Sequence, residues 1–427
     1  MNIFGWDTIS VLKVDEVNKQ FAANLGELVM SFDASWLDAF AGTFKAQGSF
    51  GPWTVTGGDG TDIYLTLPIA NGTVSNANGT GTPADISGIA ITLEVNLKWV
   101  PSSVTVQGHD LCFDLNAATA PGAAREPGDI YVKSTTDPNN TGMGAQLGNA
   151  IVTVLLANKD KITFIFAQTG IVDPNTATWL LPKQSIYSYH TPIGGSDGYL
   201  AIFSAVTDRD ISTLTANIDS AMTSSGLPLV LAISGPLFLQ YGILPVLPNA
   251  FPNTGPGNFS YSDNQITLAQ GFDLNSLEEG AISYTPTMDQ MAITIDANAL
   301  RNAACGHCGL HMPNASMTFW AITNNVLQFD PSSQTFAFQS DPNPQTGSDS
   351  HVPWYDYLIG LGAIGAGIIA LVLDGVEHGV SSALSGSALA GSLSTAPAST
   401  VRWPGLGQIT VQNGELNDCL LLYANVS

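Results

Sequence analysis

The chain has 427 residues, of which 11% are charged, and its 12 Lys+Arg against 35 Asp+Glu give a formal net charge of −23. So acidic a chain excludes nucleic-acid binding by phosphate neutralisation and attachment to an anionic membrane by charge alone. With 44% apolar and 9% aromatic residues it can still bury a core, which excludes intrinsic disorder.

Polar character comes from Asn, Ser and Thr, with 43 Gly and 24 Pro, a composition that suits a β-rich protein with many turns. Four cysteines are too few for a disulfide framework in a chain this long. Residues Met1 to Asp7 show no basic region ahead of an apolar stretch, so no secretory signal is read. Synthesis in the cytoplasm is expected, with release by a route other than the secretory one.

Val14, Val17, Phe21 and Leu25 recur with helical spacing, and Trp36, Phe40 and Phe44 extend it into a second helical piece. The period then changes to two. Ile63, Leu65, Leu67 and Ile69 alternate with smaller or more polar residues, and Ile89 to Trp99 is the clearest strand, apolar on one face only. Leu147, Ile151 and Leu155 read as a helix, Ile162 to Phe166 as a strand, and Ile211, Leu214, Ile218 and Met222 as another helix. Leu229 to Ile233 is a short apolar run, and Pro245 to Asn258 is the best linker candidate. Strand-like pieces follow at Met291–Ile295, Met317–Ile322, Val326–Phe329 and Phe336–Phe338. A polar loop is expected from Gln339 to Ser350, a long helix from Trp354 to about Leu393, and a strand from Gln408 to Tyr423.

Within the long helix, Leu358 to Leu373 runs 16 residues without a charge. That falls short of the about 20 residues of a spanning helix, and no Lys or Arg flanks it, so no transmembrane span is assigned. The stripe Leu361, Ile364, Ile368 and Leu371 reads as a buried helix covered by sheet, whose glycines let strands or a ligand chain come close. Gly360 to Gly365 matches the dinucleotide fingerprint in spelling. The following Ser381 to Ser394 holds no acid for a ribose, so nucleotide is not expected.

Cys305-Gly306-His307-Cys308, with His311 beyond, has redox or metal spelling. Ala303-Ala304 precede it, and Gly309 and Pro313 follow, in place of a Trp and an amphipathic helix. The expected structure is a loop. No metal is assigned, and Cys305, Cys308, His307 and His311 are the residues that would hold one. No Gly-x-Ser-x-Gly elbow, HExxH or phosphate-binding loop is present, so no enzyme and no cofactor are expected.

Several short stretches are similar to one known family. They are Phe4-Gly5-Trp6-Asp7 with Val17-Asn18-Lys19, Gly51 to Val55 with Gly57 to Gly60 and Leu67-Pro68-Ile69, and Trp179 to Lys183 with Tyr187 and Tyr189. Ile243-Leu244-Pro245 with Phe251, and Val401 to Gly405 with Leu416-Asn417, complete the set. Together they resemble the accessory proteins encoded beside clostridial neurotoxins of the OrfX type, the forty-seven-kilodalton kind included, within the tubular lipid-binding (TULIP) superfamily. The resemblance runs nearly end to end, and none of its motifs is catalytic.

Residues and resemblance together lead to an elongated α+β fold of the tubular lipid-binding kind, with long helices wrapped by strongly bent antiparallel sheets. Two modules are expected, 1–260 and 261–427, or one continuous unit. The apolar cavity would be lined by Val14, Val17, Phe21, Leu25, Leu361, Ile364, Ile368 and Leu371. The expected function is non-enzymatic binding of a lipid, fatty acid or other apolar ligand by an accessory factor of a bacterial toxin cluster. The alternative is a toxin-associated assembly or chaperone scaffold without bound lipid. A metal or redox protein using Cys305 and Cys308 comes third.

Overall fold

Alternation of apolar and polar residues governs most of this chain, and the computed structural model is accordingly built mainly of antiparallel sheet. It describes residues 1–427 except 80, 120–122, 125, 173–176, 193–196, 280, 311–313, 352–360, 376–379 and 381–387. The chain opens with β1 (Thr8–Lys13), α1 (Val14–Ala23), β2 (Ser31–Asp38), β3 (Gly42–Phe50), β4 (Thr54–Asp59) and β5 (Asp62–Asn76).

Three large sheets result. In the first, of six strands, β1 is buried on both faces between Tyr199–Ala205 and Leu229–Ser234; the C-terminal hairpin Ile409–Leu416 and Cys419–Val426 completes one side. This sheet therefore takes strands from both sides of residue 260. The second runs β2, β3, β5, Ala90–Pro101, His109–Asp114, Ile165–Thr169 and Val401–Arg402, with further strands off that path. The third, of eight strands, is centred on Pro286–Asp296, Ala299–Gly309 and Ser316–Asp330.

The alternating runs behave as their pattern dictates. Ile63, Leu65, Leu67 and Ile69 are buried on one face of β5, and Ile91, Leu93 and Val95 on the neighbouring strand. α2 (Gly144–Ala157) buries Leu147, Ile151 and Leu155 in the same core. Gly144 and Gly148 bring α2 onto the strand Asp129–Thr136: a Cβ there would lie 2.7 Å from Thr135 Oγ1 and 2.9 Å from Val132 Cγ1.

Among the described residues the helices are short, and the expected long helices wrapped by sheet are not seen there. α2 and Leu361–Asp374 have 14 residues each, and α1 has 10. α1 stops where the Asn24 amide Nδ2 and backbone N–H both turn back to the Gln20 carbonyl. The expected helix from Trp354 to Leu393 is described as Leu361–Asp374 and the start of Ala388–Ser399; residues 352–360, 376–379 and 381–387 lie outside the described residues. No described helix is long and apolar enough to cross a membrane.

Two helical readings are overturned. Trp36, Phe40 and Phe44 belong to the β2–β3 hairpin. Their four-residue spacing arises because Trp36 and Phe44 face each other across a turn centred on Phe40. Asp38 Oδ1 fixes that turn by accepting the Phe40 and Ala41 N–H groups, and Gly42 supplies φ +85°. Ile211, Leu214 and Ile218 lie in irregular chain, and only Ala221–Ser224 is helical. There the Asp210 and Asp219 carboxylates capture the N–H groups of Ser212 and Ala221, an alternative to helical bonding. The polar stretch expected as a loop at 339–350 ends instead in the strand Gln345–His351.

Candidate ligand and partner grooves

The residues expected to line a cavity fall into two packed cores. Val14, Val17 and Phe21 are buried in the first, where the Phe21 ring stacks on Phe164 at 4.3 Å between centroids and meets Phe166 edge-on at 5.6 Å. Leu25 sits half-buried in the short turn Leu25–Glu27 after α1. In the second core, Ile364 and Ile368 are buried and Leu371 half-buried on the helix Leu361–Asp374; the side chain of Leu361 lies outside the described residues. The glycines of that helix serve close packing of protein on protein. A Cβ on Gly365 would lie 2.7 Å from Ser348 Oγ, and one on Gly367 would lie 2.6 Å from the Leu277 side chain. α1 and the helix Leu361–Asp374 thus belong to different cores.

Open space lies elsewhere. A groove of about 670 Å³ runs between β2 and α2. One wall is Ala150, Thr153, Val154 and Ala157, spaced i, i+3, i+4 and i+7 along one face of α2. The other is Leu28 to Ser35, with Phe32 and Ala34 turned inward and Ser31, Asp33 and Ser35 outward. Lys161 closes one end. The Thr163 N–H donates to the Glu27 carbonyl at 3.0 Å and fixes that end beside the start of β2.

A second groove, of about 430 Å³, is lined by Trp403, Pro404, Leu406, Ile409 and Ala398, with Gln168, Thr395, Ser399 and Arg402. Beneath its surface the Trp403 indole N–H and the Ser399 hydroxyl are buried without a hydrogen-bond partner among the described residues. Gln168 Nε2 donates to Asp110 Oδ1 at 2.8 Å.

Residues 3–318 match the model of the OrfX-like family, described as protein OrfX2/OrfX3/P47. The chain belongs to the OrfX-like family. Protein P47 of Clostridium botulinum (strain Kyoto, type A2) is 25% identical over 364 residues, 82% of this chain and 84% of that protein. The solved structure of P47 from Clostridium botulinum A2 superposes with a TM-score of 0.77 at 22% identity, covering 100% of this chain and 98% of that one. The crystal structure of P47 of Clostridium botulinum E1 gives 0.72 at 20% identity, covering 99% and 100%. At these identities the two structures establish a shared fold. The family match takes in the whole of the β2–α2 groove and, of the Trp403 groove, only Gln168.

The cysteine stretch of this OrfX-like chain is not a loop. It forms the second half of the strand Ala299–Gly309, which pairs on both sides with Pro286–Asp296 and Ser316–Asp330. The polar letters of the sequence concealed a strict alternation: Ala304, Gly306 and Cys308 face inward, Cys305, His307 and Gly309 outward. The two thiols therefore lie on opposite faces of a sheet. His307 Nδ1 lies 2.8 Å from Asp289 Oδ2 on the neighbouring strand, and His311 lies outside the described residues. Burial and the Asp289 charge push the Cys305 thiol up, and burial alone does so for Cys308, the reverse of an activated redox pair. No group of three or more His, Cys, Asp or Glu able to hold a metal occurs among the described residues.

Sequence reading missed the groove residues because the aromatic spacing at Trp36 masked an equally legible signal. Ser31-Phe32-Asp33-Ala34-Ser35-Trp36 alternates with period two.

Proposed function

We propose that this OrfX-like protein is a non-enzymatic accessory factor that acts by binding, as a partner of proteins encoded beside a secreted bacterial toxin. The observation that carries the reading is the family match over residues 3–318. The site geometry agrees with it. The β2–α2 groove presents hydroxyls, backbone, the Asp33 carboxylate, the Asn158 amide and the Lys161 ammonium group, and no Cys or His lines it. Affinity-tagged full-length protein, mixed with the purified products of its neighbouring genes, should retain at least one of them through gel filtration. A clean monomer with every neighbour at micromolar concentration would sink the reading.

A second reading, carriage of a lipid or other apolar ligand, is favoured by the groove of Trp403, Pro404, Leu406 and Ile409. Its about 430 Å³ lies within the usual range for small-molecule sites. With a net charge of −23 the acyl chain would supply the energy and an anionic headgroup little. Native mass spectrometry of protein purified from cells should then show a ligand-bound mass that an organic extract identifies. A single ligand-free mass, with no uptake of a fluorescent fatty acid, would rule this second reading out.

A further inference from the structure

We propose that the free edge of β2 is a strand-addition site for an extended peptide segment of a partner protein, one bearing a carboxylate at its C-terminal end. The proposal names a docking element for the partner of the preceding section and rests on that reading only for where the peptide comes from.

β2 is the end strand of its sheet and pairs only with β3 among the described residues. Its eight residues keep register without a bulge, from Ser31↔Ser49 to Asp38↔Gly42. The Phe50 N–H donates to the Met30 carbonyl at 2.9 Å, so Met30 and Phe50 form a hydrogen-bonded pair. By the antiparallel alternation, the N–H and C=O groups of Ser31, Asp33, Ser35 and Leu37 then face away from β3. None of the four has a backbone partner on that side among the described residues. They recur about every 6.8 Å, the repeat of an extended chain.

Proteins blunt such edges with lysine, proline, a bulge or a covering element. β2 has no Lys, no Pro and no bulge. α2 packs on β2 as well as on Asp129–Thr136, and the groove opens between α2 and the start of β2. The groove therefore pairs a row of free backbone donors and acceptors with a wall of small side chains, Ala150, Thr153, Val154 and Ala157. An acyl chain could fill the space and would leave the backbone groups unsatisfied. A polypeptide strand satisfies them and places every second side chain against α2.

Charge selects the end of the peptide. Lys13, Lys19, Lys98, Lys133, Lys183 and Arg209 each lie 2.7–3.3 Å from a carboxylate. Lys161, at the groove end, makes no ion pair among the described residues, and neither do Lys159, Lys45 and Arg301, although the chain carries 35 acids. Lys161 Nζ donates to the neutral Asn158 Oδ1 at 2.8 Å. Asp160 and Glu27 are the acids nearest in sequence to this corner, and both are exposed. An incoming strand antiparallel to β2 ends beside the start of β2, where the Lys161 ammonium group stands, and its carboxylate meets it there. Asp33, on the outer face, favours a basic or hydroxyl residue opposite it.

The full-length protein is panned against a library of random short peptides displayed with free C-termini. Enriched peptides should alternate apolar and polar residues and end in an acid. Their binding should protect the amides of Ser31, Asp33, Ser35 and Leu37 from hydrogen exchange. Ser35→Pro removes only an outward N–H and keeps the β3 pairing; it should weaken binding about tenfold or more. The exposed change Lys161→Glu, which touches no core residue, should do the same for peptides with a free carboxylate and much less for their amidated forms. No enrichment overturns the proposal, as does enrichment of peptides that bind the Ser35→Pro protein equally well. Dodecanoate uptake in this groove that survives Ser35→Pro overturns it in favour of an acyl site. Dimerisation abolished by Ser35→Pro overturns it in favour of a second copy of the chain. Retention of a toxin-cluster protein by the Ser35→Pro variant would leave the accessory role standing and reject this edge.

Discussion

The Tyr187 hydroxyl accepts the Leu97 backbone N–H at 2.7 Å and donates to the Thr61 carbonyl at 2.7 Å. Tyr187 belongs to the six-stranded sheet, whereas Leu97 belongs to the next and Thr61 to the turn between its strands β4 and β5, so one hydroxyl joins two sheets. Tyr187→Phe keeps the ring and leaves a buried N–H unsatisfied. Urea unfolding should show a loss of about 1–3 kcal/mol with an unchanged denaturant slope.

The same residue gives a pH prediction. Burial pushes the Tyr187 phenol up to about 12 despite the Leu97 bond, and the charges of Asp62 and Asp114 add to the rise. The folded state thus holds a proton that the unfolded chain releases near pH 10. The contribution is full below about pH 10 and is lost as pH rises through about 12. Burial also raises Tyr423, so ultraviolet titration should find more than one phenol ionising late, and one fewer in Tyr187→Phe. A full complement of tyrosines ionising near pH 10 in the folded protein would refute this.

Phe21 tests whether α1 lines a cavity or fills a core. With Phe164 and Phe166 against its ring, Phe21→Ala should cost about 3–5 kcal/mol in denaturant unfolding. A loss below about 1 kcal/mol would mean that the site is already partly empty.

Gly306 sits where the strand Ala299–Gly309 admits no side chain. An added Cβ would lie 2.1 Å from the Thr287 carbonyl oxygen and 2.5 Å from the Phe319 ring. Gly306→Ala should lower stability by about 1–3 kcal/mol, read as a fall in Tm. An unchanged Tm would contradict the packing of that sheet.

The thiols should be sluggish. Burial pushes Cys419 up to about 12 and Cys112 up to about 11, and it raises Cys305 and Cys308 as well. At neutral pH the thiolate fraction is therefore below that of a free cysteine. Iodoacetamide at pH 7, followed by intact-mass measurement, should label the folded protein more slowly than free cysteine, with Cys419 last. Rapid labelling of Cys305 or Cys308 would revive the redox reading.

Much of the architecture was legible in residue order. The period-two runs at Ile63 to Ile69 and Ile89 to Trp99 became buried-face strands, and Val14 to Phe21 and Leu147 to Leu155 became helices. The failures share a cause. Trp36, Phe40 and Phe44 fit a helix and a hairpin equally well by spacing, and only pairing with β5 beyond β3 decided for sheet. Cys305 to Cys308 looked like a loop because Gly, His and Cys are weak strand signals. Two flanking strands supply the hydrogen bonds that hold it extended.

By itself, then, the sequence determined the acidic surface, the antiparallel alternation and the apolar faces, because side-chain period and charge are properties of neighbouring residues. Tertiary structure alone decided that Val14, Val17 and Phe21 are buried in one hydrophobic cluster, and that β2 ends a sheet beside α2 with Lys161 at the groove's end. A strand becomes an edge, and a groove remains open, only through which distant segments pair and which do not.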